Sequence, residues 1–288
     1  MVNSDLHLRW LLDVPSEQED ALSDWLVEVG ASAMYREADP PFTFFAYFPV
    51  GTTEPDATEL AAFPGVKLLR HETFADEDWL ARSREGFGRI EVGSRFLIKP
   101  LWDQEPVPDD RMALVVNPGL AFGTGGHETT RLCMGLLEEL AEKERLGSGI
   151  LDIGAGTGIL ALTAYLLGGR DITAFDVDPD CGPAMNEFID MNYEVLQGAH
   201  PFDAFVGSLD DPKVRGPYHG LLANILLETI QELLPRMAEL AAPGGWLIAS
   251  GILAERQDEA LVSLSLAGFR PLKVVREGEW IAILCERS

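Results

Sequence analysis

A glycine-rich turn between an apolar strand and an apolar helix is the segment of this sequence best suited to hold a ligand. Residues 151–158 are Leu-Asp-Ile-Gly-Ala-Gly-Thr-Gly, and glycines at such a turn let the backbone approach a ligand with no Cβ in the way. The spacing is G-x-G-x-G, and Ile159 stands where the dinucleotide fingerprint G-x-G-x-x-G has its third glycine. The turn is therefore predicted to cradle a cofactor, and its spacing favours S-adenosylmethionine over a pyrophosphate-containing dinucleotide.

A carboxylate follows the next predicted strand. Asp176 lies 22 positions after Gly154, where an acidic side chain can accept hydrogen bonds from both ribose hydroxyls of a nucleoside. Asp178 competes for this role, although its place directly before Pro179 better suits a turn. The alternative for Asp176 is an exposed strand end or a helix cap. We predict that Asp176 contacts the ribose of the cofactor.

A second glycine-rich segment, residues 116–130, contains four glycines close to a predicted helix start. Such a loop is adaptable and well supplied with backbone N–H donors. His127 and Glu128 suggest a metal site, but Arg131 breaks the zinc motif H-E-x-x-H, so no metal is expected. His127 is a candidate for positioning a substrate in the predicted cleft, and a structural role is the alternative.

Asn224 lies in the apolar run Leu222–Leu227, at the carboxyl end of a predicted parallel strand. In open α/β sheets, ligands bind beyond those strand ends. An asparagine amide among apolar residues needs hydrogen-bond partners, so a binding role is predicted. The alternative is an N-cap for the predicted helix 227–241.

Charge and cysteine usage exclude several classes of partner. The formal net charge of −25 disfavours duplex DNA and anionic membranes, whereas it would attract a basic protein; an acidic surface that serves only solubility is the alternative. Cys133, Cys181 and Cys285 form no C-x-x-C pair, so neither a zinc site nor a disulfide framework is expected, and a cytoplasmic protein is predicted. The N-terminus lacks a signal-peptide layout, and the apolar runs are too short to span a bilayer.

Residues 1–70 are predicted to form a small α+β domain with a ferredoxin-like β-α-β-β order. Ser16 and Glu19 form a capping box at the start of the predicted helix, which ends at Gly30. Residues 71–108 are predicted to be a linker in the form of a solvated connector. Arg89–Pro100 has a second interpretation as strands that pack against the next domain. Strands of the first domain are predicted at 6–14, 33–37 and 43–48.

Residues 109–288 are predicted to form a Rossmann-like α/β domain, because apolar strands that alternate with helices indicate a parallel sheet covered on both faces. The last two strands are separated only by residues 276–279, so we predict an antiparallel hairpin at one edge, as in class I methyltransferases. Helices are predicted at 128–142, 157–168, 180–193, 227–241 and 254–267, and strands at 113–116, 149–153, 172–177, 204–206, 220–225, 246–250, 272–275 and 280–285.

Five segments carry a more specific resemblance: Phe122-Gly-Thr-Gly-Gly-His-Glu-Thr-Thr130, residues 151–158, Asp176-Val-Asp-Pro179, Ala223-Asn-Ile-Leu226 and Pro243-Gly-Gly-Trp-Leu-Ile-Ala-Ser-Gly-Ile-Leu253. Together they resemble the PrmA family of bacterial ribosomal-protein methyltransferases. The resemblance extends to the N-terminal domain, to residues 76–79 and to Glu279-Trp280, so it spans nearly the whole chain. Two departures are Ser83, where a second linker tryptophan often stands, and Gly126, at a variable loop position.

This resemblance implies an S-adenosylmethionine-dependent enzyme that methylates the eleventh large-subunit ribosomal protein, at the stalk base, on lysines and on its N-terminal α-amine. It implies that Thr130, Gly154, Asp176 and Asn224 contact S-adenosylmethionine, with Gly154 and Gly156 under its methionine portion. Asn224 would face the reactive methyl group and hold the neutral amine. The N-terminal domain would recognise the protein substrate, and the enzyme would act as a monomer.

Three alternatives stay open at this stage. A related methyltransferase could act on another protein or on a small molecule. An NAD-dependent oxidoreductase is disfavoured by Ile159 and by the hairpin at the sheet edge, and an inactive binding module is disfavoured because every cofactor position is intact. No strong general base is evident; His127 is a candidate, and proton loss to water is equally consistent with the sequence.

Overall fold

In the computed structural model, the chain divides into two compact units, residues 1–86 and 87–288. The boundary between them falls inside the predicted linker. The structure describes residues 6–15, 18, 22–23, 25–26, 29–31, 33–36, 44–49, 52, 55–75, 88–117, 125–196 and 199–288.

The described strands of the N-terminal unit form one antiparallel sheet: β1 (Leu6–Asp13), β2 (Ala33–Arg36), β3 (Phe44–Phe48) and β4 (Lys67–Ala75). Their order, β2-β3-β1-β4, is that of the predicted ferredoxin-like fold. Alternate side chains point to one face, so Trp10, Leu12 and Phe48 are buried there with Leu22 and Leu26 of the predicted helix.

The end of this unit differs from the prediction, and some of its predicted features lie outside the described residues. Strand β4 continues to Ala75, past the predicted end of the domain at residue 70, and a 3-10 helix (Ala57–Ala62) precedes it. Ser16 and Glu19 of the predicted capping box, and residues 76–87 of the predicted linker, are not among the described residues.

A three-stranded sheet in the second unit includes part of the predicted linker. It contains β5 (Ile90–Val92), β6 (Phe96–Pro100) and β7 (Met112–Val116) in that order. Phe96, Ile98 and Leu114 are fully buried, so this segment packs into the unit, as its second interpretation proposed, and is not a solvated connector. The predicted strand 113–116 forms, but it pairs in parallel with β6 and lies outside the main sheet.

The main sheet of the second unit has seven strands: β8 (Ser148–Ile153), β9 (Arg170–Asp176), β10 (Asp203–Val206), β11 (Tyr218–Asn224), β12 (Ala241–Leu253), β13 (Phe269–Glu277) and β14 (Trp280–Arg287). Their order is β10-β9-β8-β11-β12-β14-β13. Strands β8 to β12 are parallel, and β14 runs antiparallel to both neighbours, which confirms the predicted hairpin.

Helices cover both faces of this sheet, and the buried apolar side chains form one core on each face. The described helices are α1 (Glu128–Glu142), α2 (Ile159–Leu166), α3 (Cys181–Met191), α4 (Tyr193–Leu196), α5 (Leu227–Leu240) and α6 (Gln257–Leu266), with a 3-10 helix at Ala254–Arg256. Every helix predicted for this domain is present, and the order of the strands reverses between β8 and β11, which is where ligands bind in such sheets.

None of the helices in the described part of the chain is both long and apolar enough to cross a membrane.

Candidate functional site

A cleft of about 700 Å³ opens at the carboxyl ends of the central parallel strands. Two groups of residues line it. One group, which we call the glycine-loop side, follows β8, β9 and β10 and includes Gly154, Gly156, Asp176, Asp178 and Ser208. The other, the asparagine side, comes from α1, β11, α5 and β14 and includes His127, Asn224, Leu226, Thr229 and Trp280.

The glycine loop is fixed by backbone hydrogen bonds from β8 to β9. The amides of Gly154 and Ala155 both donate to the carbonyl of Phe175, each at 3.0 Å. Gly154 and Gly156 have φ angles of 69° and 56°, in the left-handed region that favours glycine. A Cβ on Gly154 would lie 2.5 Å from a methyl group of Ile225, so packing as well as conformation requires glycine there.

The Asp176 carboxylate lines the cleft and binds the backbone of this loop and of the turn that follows β9. Its Oδ2 accepts a hydrogen bond from the Gly156 amide at 2.9 Å, and its Oδ1 accepts one from the Asp178 amide at 3.0 Å. Each carboxylate oxygen has a second lone pair for a ligand. Asp178 itself accepts from the Asp180 amide at 2.9 Å, which is the turn role predicted for it.

Asp152 is a buried acid behind the glycine loop whose role the sequence analysis did not identify. It is 1% exposed, and its Oδ2 accepts a hydrogen bond from the Ala161 amide, at 3.0 Å, in the first turn of α2. Burial raises the pKa of Asp152 to about 7, because the desolvated carboxylate is disfavoured and the Asp176 carboxylate repels it. The one sequence signal for this site was an acid placed inside an otherwise apolar strand.

Asn224 ends β11 and presents an amide to the cleft. Its Nδ2 donates to the hydroxyl oxygen of Thr130 at 3.4 Å. Its Oδ1 is buried and has no hydrogen-bond partner among the described residues, although such an acceptor is costly to leave unpaired. Helix α5 begins with Leu226 as its N-cap, so the alternative role of Asn224 as the cap is not realised. The Asn224 side chain therefore lines the cleft with an acceptor that has no partner in the described part of the chain.

Thr130 is placed behind Asn224 and does not line the cleft. Its side chain is 1% exposed, and its described polar contact is with the Asn224 amide. Its neighbour Thr129 lines the cleft instead. Residues 118–124 of the same predicted loop lie outside the described residues.

His127 lies on the asparagine side and caps helix α1. Its Nδ1 accepts a hydrogen bond from the Thr129 amide at 3.3 Å and lies 2.8 Å from the Thr129 hydroxyl. The imidazole packs edge-on against Trp280, with 5.0 Å between the ring centroids. His127 therefore has the structural role that was its alternative, and it also faces the cleft. Trp280 is a lining residue to which the sequence analysis assigned no role.

Metal-binding chemistry finds no support in the described residues, where no group of three or more potential ligands could hold an ion.

The comparisons with known proteins agree with the geometry. A sequence model of the family described as "Ribosomal protein L11 methyltransferase (PrmA)" matches residues 46–288. A ribosomal protein L11 methyltransferase of Pelobacter propionicus is 36% identical over 232 residues, which cover 78% of this chain and 72% of that protein. The protein of that description from Geotalea uraniireducens is 33% identical over 303 residues, covering 93% and 94% of the two chains. A crystal structure of ribosomal protein L11 methylase from Lactobacillus delbrueckii subsp. bulgaricus superposes with a TM-score of 0.61 at 30% identity, and the match covers 70% of this chain and 100% of that one.

Proposed function

Since the chain belongs to the ribosomal protein L11 methyltransferase (PrmA) family, we propose that it transfers methyl groups from S-adenosylmethionine to amines of ribosomal protein L11. The amines are those of lysine side chains and of the N-terminus. One observation carries the proposal beyond family membership: Asn224, whose Oδ1 has no hydrogen-bond partner among the described residues, lines the same cleft as the glycine loop. A neutral amine has N–H groups that match this acceptor.

The glycine-loop side would hold S-adenosylmethionine, which supplies a methyl group activated by its attachment to a sulfonium. Gly154 and Gly156 would lie under the methionine portion, and their lack of a Cβ permits that approach. Asp176 would accept hydrogen bonds from the ribose hydroxyls, because its oxygens retain unused lone pairs after binding the two backbone amides.

The asparagine side would align an uncharged amine. An unperturbed lysine has a pKa of about 10.4 and an α-amine one of about 7.7–8.0, so both must lose a proton before they can attack. Desolvation in the cleft lowers an amine's pKa, and Asn224 Oδ1 would accept a hydrogen bond from one of its remaining N–H groups. The contact between His127 Nδ1 and Thr129 favours a positioning role for His127 over that of a general base.

Recognition of the protein substrate is assigned to residues 1–70, since the chemical groups named above all lie in the second unit. The net charge of −25 suits a basic ribosomal protein as partner. With such a substrate, we assign the reaction to the cytoplasm. A single chain contains the whole proposed cleft, which suits a monomer.

Deletion of residues 1–86 tests the recognition role: it should preserve S-adenosylmethionine binding and abolish efficient methylation of L11. Methylation at the full-length rate by the shortened chain would refute the recognition role.

The direct test is incubation of the purified chain with unmethylated L11 and isotopically labelled S-adenosylmethionine, followed by mass spectrometry of L11 peptides. We expect label on lysine side chains and on the N-terminal amine, and none on L11 whose amines have been blocked by acetylation. Label on another protein or on a small molecule, with L11 unmodified, would support the first alternative. A thermal shift with NAD and none with S-adenosylhomocysteine would support the oxidoreductase.

A further inference from the structure

Arg131, in the first turn of α1, connects two segments that line the asparagine side of the cleft. Its Nη2 donates to Glu277 Oε1 at 2.5 Å, and its Nε donates to the same oxygen at 3.1 Å. Its Nη1 donates to the carbonyl oxygen of Gly126. The planar guanidinium therefore holds a backbone group of one segment and a carboxylate of the other at the same time.

Each of these partners is next to a residue of the cleft wall. Gly126 directly precedes His127, and Glu277 pairs with Trp280 across the turn of the β13–β14 hairpin. The rings of His127 and Trp280 then meet edge-on in the cleft. A change at Arg131 would thus alter the separation and orientation of these two rings, although its own side chain does not line the cleft.

The exposure of this ion pair argues against a role in stability. The side chains of Arg131 and Glu277 are 20% and 42% exposed, and ion pairs with such access to solvent stabilise proteins little. The three hydrogen bonds of the Arg131 guanidinium therefore fix the relative positions of Gly126 and Glu277 more than they stabilise the fold. In the sequence, Arg131 is distinguished only by its position, where it breaks the zinc motif H-E-x-x-H.

We propose that Arg131 is a positioning residue for the methyl acceptor. Through Gly126 and Glu277 it fixes the His127–Trp280 wall beside Asn224, so that an amine entering the cleft is held in line with the methyl group. This inference rests on the proposed function, because it assigns the asparagine side to the amine. It predicts that loss of Arg131 slows methyl transfer while S-adenosylmethionine still binds.

The test compares R131K and E277Q with a matched ion pair at the other end of the β13–β14 hairpin. Arg145 and Glu286 lie 2.7 Å apart, with side chains 35% and 28% exposed, and they do not line the cleft. R131K keeps the positive charge but loses the planar set of N–H donors of the guanidinium. R145K makes the same change at the control site. For each full-length variant, we would measure kcat and KM for L11, calorimetric affinity for S-adenosylhomocysteine, and the ¹⁹F resonance of 5-fluorotryptophan at position 280.

We expect R131K and E277Q to lower kcat by about tenfold or more, to shift the Trp280 resonance, and to change S-adenosylhomocysteine affinity by less than about twofold. R145K should leave all three unchanged. An unshifted resonance, a wild-type kcat, or an equal loss in R145K would each overturn the proposal. If the wild-type chain does not methylate L11, the proposed function fails, whereas the resonance still reports whether Arg131 fixes the wall.

Discussion

The two sides of the cleft differ in how they are assembled. Apart from Ser208, the glycine-loop side comes from one continuous stretch, residues 151–180, and its groups bind one another: the Gly156 amide donates to Asp176, and Asp178 closes the turn. The asparagine side joins positions far apart in the chain. Asn224 contacts Thr130 across 94 positions, and Arg131 contacts Glu277 across 146.

The two sides also differ in how completely their polar groups are paired. On the glycine-loop side, both Asp176 oxygens already accept backbone hydrogen bonds. On the asparagine side, Asn224 Oδ1 is buried without a partner in the described part of the chain. Polar groups that already have hydrogen-bond partners form a rigid surface, which suits a cofactor with one fixed binding mode. An unpaired acceptor suits a donor that must be aligned for reaction, since binding removes the penalty of leaving it unpaired.

The largest effect is expected from Gly156→Val, which should abolish S-adenosylmethionine binding. Its φ of 56° is unfavourable for a branched residue, and Gly156 lines the cleft, where a larger side chain would compete with the cofactor for space. Calorimetry on the folded variant measures this. Gly244→Val is the control, because Gly244 has a φ of 73° and open space around it at the opposite end of β12. Normal binding by Gly156→Val would mean that the loop does not cradle the cofactor.

Asn224→Ala should reduce methyl transfer to L11 about 100-fold, because the acceptor that aligns the amine is lost. Rates measured under steady-state conditions give the size of the effect. Asn117→Ala, which removes an amide that binds Glu187 outside the cleft, is a matched control. Equal losses in the two variants would show that the effect is structural.

Asp176→Ala should weaken S-adenosylmethionine binding by about tenfold or more, since a hydrogen bond to a charged group contributes on the order of 1.5–3 kcal/mol. The Gly156 amide also loses its acceptor, so part of the effect acts through the loop. Calorimetric titration provides the affinity. If Asp178→Ala weakens binding while Asp176→Ala does not, the ribose role belongs to Asp178.

The contacts behind these predictions differ in how well they could be predicted from the sequence. The glycine loop and Asp176 are close together in the sequence, so their spacing alone predicts that they contact the same ligand. The parallel sheet and its terminal hairpin were also predictable, because continuous apolar strands and a four-residue connection leave few other topologies. The contacts of Asn224 with Thr130 and of His127 with Trp280 join distant segments, and no local pattern encodes them. The packing of residues 90–100 into the second unit was only the second interpretation of that segment, because a short apolar run among charged residues does not show whether it is buried.

Thr130→Val should lower methyl transfer several-fold, with little change in S-adenosylmethionine affinity. The hydroxyl of Thr130 accepts from Asn224 Nδ2, and that bond keeps Asn224 Oδ1 directed away from it; a neutral hydrogen bond contributes about 1 kcal/mol. Paired measurements of kcat and cofactor affinity test this, with Thr130→Ser as the variant that should retain activity. A parallel loss of affinity would indicate that Thr130 contacts the cofactor directly, as the family resemblance implies.

Asp152→Asn should change how stability depends on pH. Burial raises the pKa of Asp152 from 3.8 to about 7, so the folded state holds this proton more tightly than the unfolded state. Wild-type stability relative to the variant should therefore fall as pH rises from about 4 to about 7, reaching a deficit on the order of 4 kcal/mol. Denaturant unfolding at several pH values measures the difference.

Asp103→Asn supplies a control of the opposite sign. Hydrogen bonding to Arg89 lowers the pKa of Asp103, so its contribution is present at neutral pH and is lost as pH falls through that lowered pKa. The Asp103 variant should accordingly be less stable than wild type at pH 7 and approach it in acid. A pH-independent difference for Asp152→Asn would mean that Asp152 ionises normally in the folded protein.

Single-turnover methylation of L11 at saturating S-adenosylmethionine tests most directly whether the two sides of the cleft are separate. Saturation compensates for weak cofactor binding but cannot restore alignment of the amine. We expect Asp176→Ala then to react within about threefold of the wild-type rate, while Asn224→Ala stays about 100-fold slower. Recovery of both variants, or of neither, would contradict the division into a cofactor-binding side and an amine-aligning side.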